Sequence, residues 1–227
     1  MAIIEVNKVT KIYGGDGVET PALRGIDLKI ERGEFTAIAG PSGSGKTTLL
    51  NIIGALDAPT SGDVTLDGSD ITHMSAAEQS DLRLHNLGFI FQAYNLIPVL
   101  TAVENVEFVM LLQKVPKDER RKKALAILEE VGLGGMENKR PNEMSGGQQQ
   151  RVAVARAIVS GPKLILADEP TANLDSATGH GLLEMMHKLN ADKGVTFLFS
   201  THDTMVMDHS RRLIQLQDGL IKSDENK

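Results

Sequence analysis

The sequence predicts an α/β fold with a small antiparallel part near the N-terminus and a helical insertion in the middle. Three observations carry this. The run Leu164–Ala167 is continuously apolar and Val195–Phe199 is apolar but for Thr196, as strands buried on both faces are. Ile3 to Asn7 instead shows the period-two pattern of a strand buried on one face. Between them, Ala124, Leu125, Ile127, Leu128 and Val131 fall on one face of a helix spanning Asp118–Val131.

Taken in order, Leu28–Ile30 and Phe35–Ala39 read as short strands separated by the turn Glu31-Arg32-Gly33. A helix follows over Thr48–Gly54. Val64–Leu66 runs into the turn Asp67-Gly68, and Asp118–Val131 is stopped by Gly132. Gln148–Val159 forms a helix ended by Gly161-Pro162, and Gly181–Leu189 forms another. Leu213–Leu216 and Leu220-Ile221 flank Asp218-Gly219, a hairpin signal. There is no internal repeat and no low-complexity segment.

A chain of 227 residues can bury a sizeable core as one domain or two closely knit lobes. Its net charge of −6 argues against a nucleic-acid partner. The clearest basic cluster, Lys117 to Lys123, is interrupted by Asp118 and Glu119 and reads as a solvated helix start. The absence of cysteine excludes disulfides and thiolate metal sites. The first residues lack a basic start followed by a long apolar core, and no apolar run approaches the roughly 20 residues of a membrane helix. The expectation is a cytoplasmic chain that reaches a membrane only through a partner.

Gly40-Pro41-Ser42-Gly43-Ser44-Gly45-Lys46-Thr47 fits G-x-x-x-x-G-K-[ST] and stands between a strand ending at Ala39 and a helix. Its glycines free backbone N–H groups to turn toward phosphate oxygens, and the helix N-terminus adds its positive end. Lys46 is expected to reach the β- and γ-phosphates, with Thr47 offering a hydroxyl to Mg²⁺. Asp168 and Glu169 follow the buried strand 164–167 and divide naturally into a magnesium partner and a base that orients water. His202 ends the next buried strand, where it could bond a γ-phosphate or serve only structure. Ser145-Gly146-Gly147-Gln148 begins another helix. An ordinary cap explains such a start more often than not; the other reading is a second anion site completed by another copy of the chain.

Along essentially its full length the chain resembles the nucleotide-binding domain of the ATP-binding cassette (ABC) transporter family. The matching residues stand in the family's order, and Met144-Ser145-Gly146-Gly147-Gln148 differs from the usual signature only by methionine for leucine. The resemblance implies a P-loop NTPase core with an antiparallel β subdomain and an inserted helical subdomain. The core with its β subdomain is expected at about 1–92 and 161–227, and the helical subdomain with the signature at about 93–160. Tyr13 matches the aromatic that stacks on adenine, and Gly40 to Thr48 the phosphate-binding segment. Gln92 matches the glutamine that senses Mg²⁺ and faces the membrane subunits. Asp168 matches the magnesium ligand, Glu169 the catalytic acid and His202 the switch histidine. Asp175, in Ala172-Asn173-Leu174-Asp175, matches the loop that crosses the dimer, and could also cap the helix after it.

The implied cofactors are ATP and Mg²⁺. The implied partners are a second copy of the chain and transmembrane permease subunits at the cytoplasmic face of the inner membrane. Gln92 to Pro98 and Ser145 to Arg151 resemble the lipoprotein-release and macrolide-efflux branch. A soluble cassette ATPase acting on nucleic acid or ribosomes is the competing class. The acidic balance, the single cassette and the lack of sustained heptads between phosphate loop and signature speak against it.

Overall fold

The computed structural model of the protein describes residues 1–15 and 18–227. The chain opens with a long hairpin, β1 (Ala2–Gly15) and β2 (Val18–Glu31), then β3 (Phe35–Ala39) and helix α1 (Lys46–Ile53). β4 (Ser61–Leu66), β5 (Ser69–Asp70), α2 (Ala76–Asn86) and β6 (Leu87–Ile90) follow. Three helices come next: α3 (Ala102–Leu112), α4 (Lys117–Glu130) and α5 (Gly146–Ile158). The chain ends β7 (Leu164–Asp168), α6 (Ser176–Lys193), β8 (Thr196–Thr201), α7 (Thr204–His209), β9 (Arg212–Gln217), β10 (Leu220–Asn226).

The strands form two sheets. The first is antiparallel with order β2-β1-β4-β5, and the second has order β10-β9-β3-β8-β7-β6. From β9 to β6 the second sheet is parallel, and only β10 returns antiparallel, closing the hairpin at Asp218-Gly219. Side chains alternate along each buried strand between two cores. Phe35, Ala37, Ile165, Ala167, Phe197 and Phe199 face the cluster shared with α3, α4, α5 and α6. Ile38, Leu164, Leu166 and Leu198 face the cluster shared with α1, β1, β2 and β4. A strand buried on both faces has no polar side to show, which is why 164–167 reads as an unbroken apolar run and 195–199 as one interrupted only by the buried Thr196.

The outline read from the sequence holds, with corrections at element ends. The helix after the phosphate loop starts at Lys46 rather than Thr48, so the motif's lysine and threonine lie in its first turn. The helix expected over 181–189 runs from Ser176 to Lys193. Gly179 and Gly181 look like breakers, yet Gly179 lies against α7, where an added Cβ would sit 3.0 Å from Met205 Sδ. Helices α2 and α3 were not expected. Both carry a capping box, Ser75 with Glu78 and Thr101 with Glu104, and this S/T-x-x-E spacing was a usable signal.

Candidate functional site

The carboxyl ends of neighbouring parallel strands β3, β8, β7 and β6 bring the expected residues together. Across that edge stand the phosphate loop after β3, His202 after β8, Asp168 and Glu169 at the end of β7, and Gln92 after β6. They line one cavity of about 510 Å³ with Pro41, Ser42, Gly43, Gly45, Lys46, Thr47, Thr48 and Ala22.

Helix α1 begins at Gly45 with φ 104°, without a side-chain cap. Its first N–H groups, which have no partners inside the helix, are left for a ligand. Glycine is required at 45 on two counts. The backbone is left-handed, and a Cβ would lie 2.6 Å from the Ala22 carbonyl oxygen. Lys46 is buried, and its ammonium donates to the carbonyls of Gly40 at 2.7 Å and Pro41 at 3.0 Å. Among the described residues no carboxylate neutralises it. An uncompensated cation above an uncapped helix start suits a polyphosphate.

The Thr47 hydroxyl donates to the Asp168 carboxylate, 3.2 and 3.4 Å from its two oxygens. Among the described residues no three His, Cys, Asp or Glu side chains gather as a metal cluster. The donor set is therefore one hydroxyl, one carboxylate and the Gln92 amide. It fits a hard cation that completes its shell from phosphate and water, as Mg²⁺ does.

Glu169 has φ 47°, an unusual conformation for a residue with a side chain. Its N–H is held by the Ser200 carbonyl at 2.9 Å. Its carboxylate accepts from Thr201 Oγ1 at 3.1 Å and from the His202 N–H at 3.4 Å. His202 Nδ1 lies 2.6 Å from Glu169 Oε1. An ionised carboxylate only accepts, so Nδ1 carries the proton and Nε2 is the free ring nitrogen.

Tyr13 stands on the β1 strand outside this cavity lining. Its phenol donates to Asp57 Oδ2 at 2.8 Å, and Lys11 Nζ lies 2.6 Å from Asp57 Oδ1. Burial opposes ionisation of Asp57, but the bonds from Lys11, Tyr13 and the Ala58 N–H outweigh it and hold its carboxyl below the ordinary value. Burial raises the Tyr13 phenol above its ordinary value, and the carboxylate beside it pushes the same way.

Ser145, Gly146, Gly147, Gln148 and Asp175 do not line the cavity either. Ser145 and Gln148 form a capping box at the start of α5, with Gln148 N–H donating to Ser145 Oγ at 3.3 Å. Asp175 caps α6 through Thr178, whose hydroxyl bond holds its carboxyl below the usual carboxylate range. Ser44 and Gly40 are also absent from the lining, and Ser44 is buried beneath it.

Several supporting residues were missed in the sequence. Thr201 orients Glu169, and Asn173 Nδ2 donates to the Gln92 carbonyl at 2.8 Å. Arg156, on α5, donates to the carbonyls of Asn95 at 2.5 Å and Tyr94 at 2.9 Å, both residues at positive φ. Gln150, also on α5, donates to the Pro170 carbonyl at 2.7 Å. Ala22 enters the site only because β2 folds back along β1. No residue type announces these contacts; strand register and helix packing create them.

Comparison with known proteins agrees with this fold. The family described as ABC transporter matches residues 23–172. An uncharacterized ABC transporter ATP-binding protein of Methanocaldococcus jannaschii is 48% identical over 225 residues, 99% of this chain and 100% of that one. A macrolide export ATP-binding/permease protein of Syntrophobacter fumaroxidans is 44% identical over 226 residues, 99% of this chain and 32% of that protein. The dimeric post-hydrolysis structure of the ATP-binding cassette MJ0796, bound to ADP and Pi, superposes with a TM-score of 0.91 at 44% identity, covering 98% of each chain. On this sequence, fold and site, the chain belongs to the ABC transporter family as an ATP-binding, ATP-hydrolysing cassette.

Proposed function

We propose that two copies of this chain close head to tail around two ATP molecules and that the closure drives permease subunits in a membrane, in the service of export or lipoprotein release. The observation that carries the reading is the split of the expected site. Phosphate loop, acids, Gln92 and His202 surround one cavity, while Ser145 to Gln148 and Asp175 stand apart from it. A second copy can supply what the first lacks. The dimeric cassette similar to this chain supports that reading, and the macrolide exporters similar to it support the membrane role. Among the described residues no helix is long and apolar enough to cross a membrane, so the permease would be a separate chain or a separate part. The place of work is then the cytoplasmic face of the inner membrane.

Within each site, Lys46 and the first N–H groups of α1 hold the β- and γ-phosphates, and Tyr13 carries the base. Thr47, Asp168 and Gln92 would hold Mg²⁺, which when bound neutralises phosphate charge. Glu169 accepts a proton from the attacking water, and its ring partner His202 keeps Nε2 toward the γ-phosphate. Ser145 accepts from Gln148 N–H yet retains its own hydroxyl proton, which it can donate to the γ-phosphate of the other copy. We divide the chain into a core at about 1–92 and 161–227 and a helical lobe at about 93–160, the lobe carrying the signature toward the partner.

The segment from Gln92 to about Val106 would meet the permease, and part of it packs inward. Leu96 lies against the core, whereas Val99 is 73% exposed. Val99→Asp therefore tests the membrane contact without opening the core. Purified Val99→Asp should melt and hydrolyse ATP as the parent does, yet copurify poorly with the permease. The pairing has its own test. ATPase activity per chain should rise with chain concentration, and activity independent of concentration in a monomer would end the head-to-tail reading.

A further inference from the structure

Asp57 sits where the loop after α1 meets the β1 strand. One carboxylate oxygen accepts the Tyr13 phenol at 2.8 Å, and the other accepts Lys11 Nζ at 2.6 Å. The same ammonium donates to the Ala58 carbonyl at 2.7 Å and lies 4.8 Å from the centre of the Tyr13 ring. A cation at that distance is attracted to the face of the ring. Lys11 and Asp57 are well covered, their side chains 13% and 28% exposed, while Tyr13 remains 44% exposed. The exposed ring is thus fixed at its hydroxyl and backed by a cation, although little of its surface is buried.

The clamp is also registered to the phosphate loop. The N–H groups of Leu56 and Asp57 both donate to the Asn51 carbonyl, at 2.8 and 3.2 Å, so Asp57 is tied to the end of α1. The other end of α1 is Lys46. Eight helical residues set a fixed spacing of about 12 Å between the two ends. A second stitch, Ile12 N–H to Thr60 Oγ1 at 2.9 Å, keeps the β1 strand against the same loop.

We infer that Asp57 is a positioning residue for the nucleotide base: together with Lys11 it holds the Tyr13 ring at a set orientation and distance from the phosphate loop, so that base and triphosphate are bound at once. This rests on the reading of Tyr13 as the base platform. Lys11 takes one face of the ring and leaves the other to the purine. Ordering the ring before binding removes an entropy cost that an unheld tyrosine would incur on stacking.

The test compares two ligands on the full chain, ATP with Mg²⁺ and tripolyphosphate with Mg²⁺, the second having no base. Base stacking on an aromatic ring is worth enough that losing its alignment should weaken ATP about tenfold. Asp57→Ala, Tyr13→Ala and Tyr13→Phe should each raise the ATP Kd by about that factor and leave the tripolyphosphate Kd unchanged. Tyr13→Phe is the telling variant, because it keeps the ring and removes the hydroxyl that anchors it to Asp57. Asp57→Asn, which keeps an acceptor for the phenol, should recover most of the affinity. If Tyr13→Ala weakens ATP and Asp57→Ala does not, Asp57 has no positioning role. If Asp57→Ala weakens both ligands in parallel, it only supports the loop, and the inference falls. If Tyr13→Ala leaves the two affinities in their parental ratio, the base-platform reading itself fails.

Discussion

Glu169→Gln separates the chemistry of the site from its architecture. In the structure the Glu169 carboxylate makes three contacts: Thr201 Oγ1 at 3.1 Å, the His202 N–H at 3.4 Å and His202 Nδ1 at 2.6 Å. Glutamine can keep most of these. With its oxygen toward Nδ1–H, its NH₂ can donate to the Thr201 hydroxyl, which also accepts, and only the long bond from the His202 N–H is lost. The left-handed backbone at 169 is held by Ser200 and does not depend on the carboxylate. Stability should therefore change by less than about 1 kcal/mol. The rate should not survive. A carboxylate that takes a proton from water contributes about 10²–10⁴-fold, or about 3 to 5 kcal/mol of barrier. The assay is phosphate release at saturating ATP and Mg²⁺, run beside a thermal melt and size-exclusion chromatography in the same buffer. The expected result is a parental melt, at least a hundredfold slower release, and an ATP-dependent shift to a dimer, because the step that opens it is blocked. Hydrolysis within about threefold of the parent would refute the assignment and move the base elsewhere, with His202 next in line.

Lys46→Ala should abolish ATP turnover, since it removes the cation held at the Gly40 and Pro41 carbonyls; unchanged phosphate release would overturn the phosphate-loop reading. At Gly147 a Cβ would meet Thr178 Cγ2 at 2.4 Å within the same chain, so Gly147→Ala alone confounds fold with function. Gly147→Ala combined with Thr178→Ser should restore the melt but not hydrolysis, if the glycine makes room for the other copy's phosphate; recovery of both would confine its role to this chain. Phe199→Ala removes a fully buried ring 4.6 Å from Phe35 and should cost about 3–5 kcal/mol in denaturant titration, with a loss under about 1 kcal/mol contradicting the packing. The folded pKa of Asp57 is depressed, so the stability it adds is present above its unfolded pKa and is lost as pH falls through the folded value. The melting difference between the parent and Asp57→Asn should accordingly shrink as pH is lowered from neutrality into the carboxylate range.

The core strands were legible because burial on both faces leaves an unmistakable apolar run, and the phosphate loop because glycines, lysine and threonine must stand at fixed intervals. Asp168, Glu169 and His202 were legible for a related reason: they follow those runs at the strand ends where ligands gather. Helix α3 was hidden, since Ala102–Leu112 is rich in apolar and β-branched residues all round and shows no clean stripe. Its capping box was the better clue. The clamp at Asp57 and the Thr201 and Asn173 contacts were out of reach. Each joins residues 32 to 81 positions apart, and only the folded register decides that they touch.

Helix α5 is fastened at three places. Gln150 holds the Pro170 carbonyl beside the acids, Arg151 holds Val131 at the end of α4, and Arg156 holds the Tyr94 and Asn95 carbonyls just past Gln92. The apolar cluster beneath it runs without a break from α3 and α4 to Phe35, Phe197 and Phe199 of the sheet. Though inserted between β6 and β7, the three helices thus share their interior with the sheet and have no core of their own. Amide hydrogen exchange should find the innermost N–H groups of α5 and β7 opening together, in one event with one free energy. Excised residues 93–160 should then remain a loose chain, and the remainder, robbed of half its interior, should fare no better.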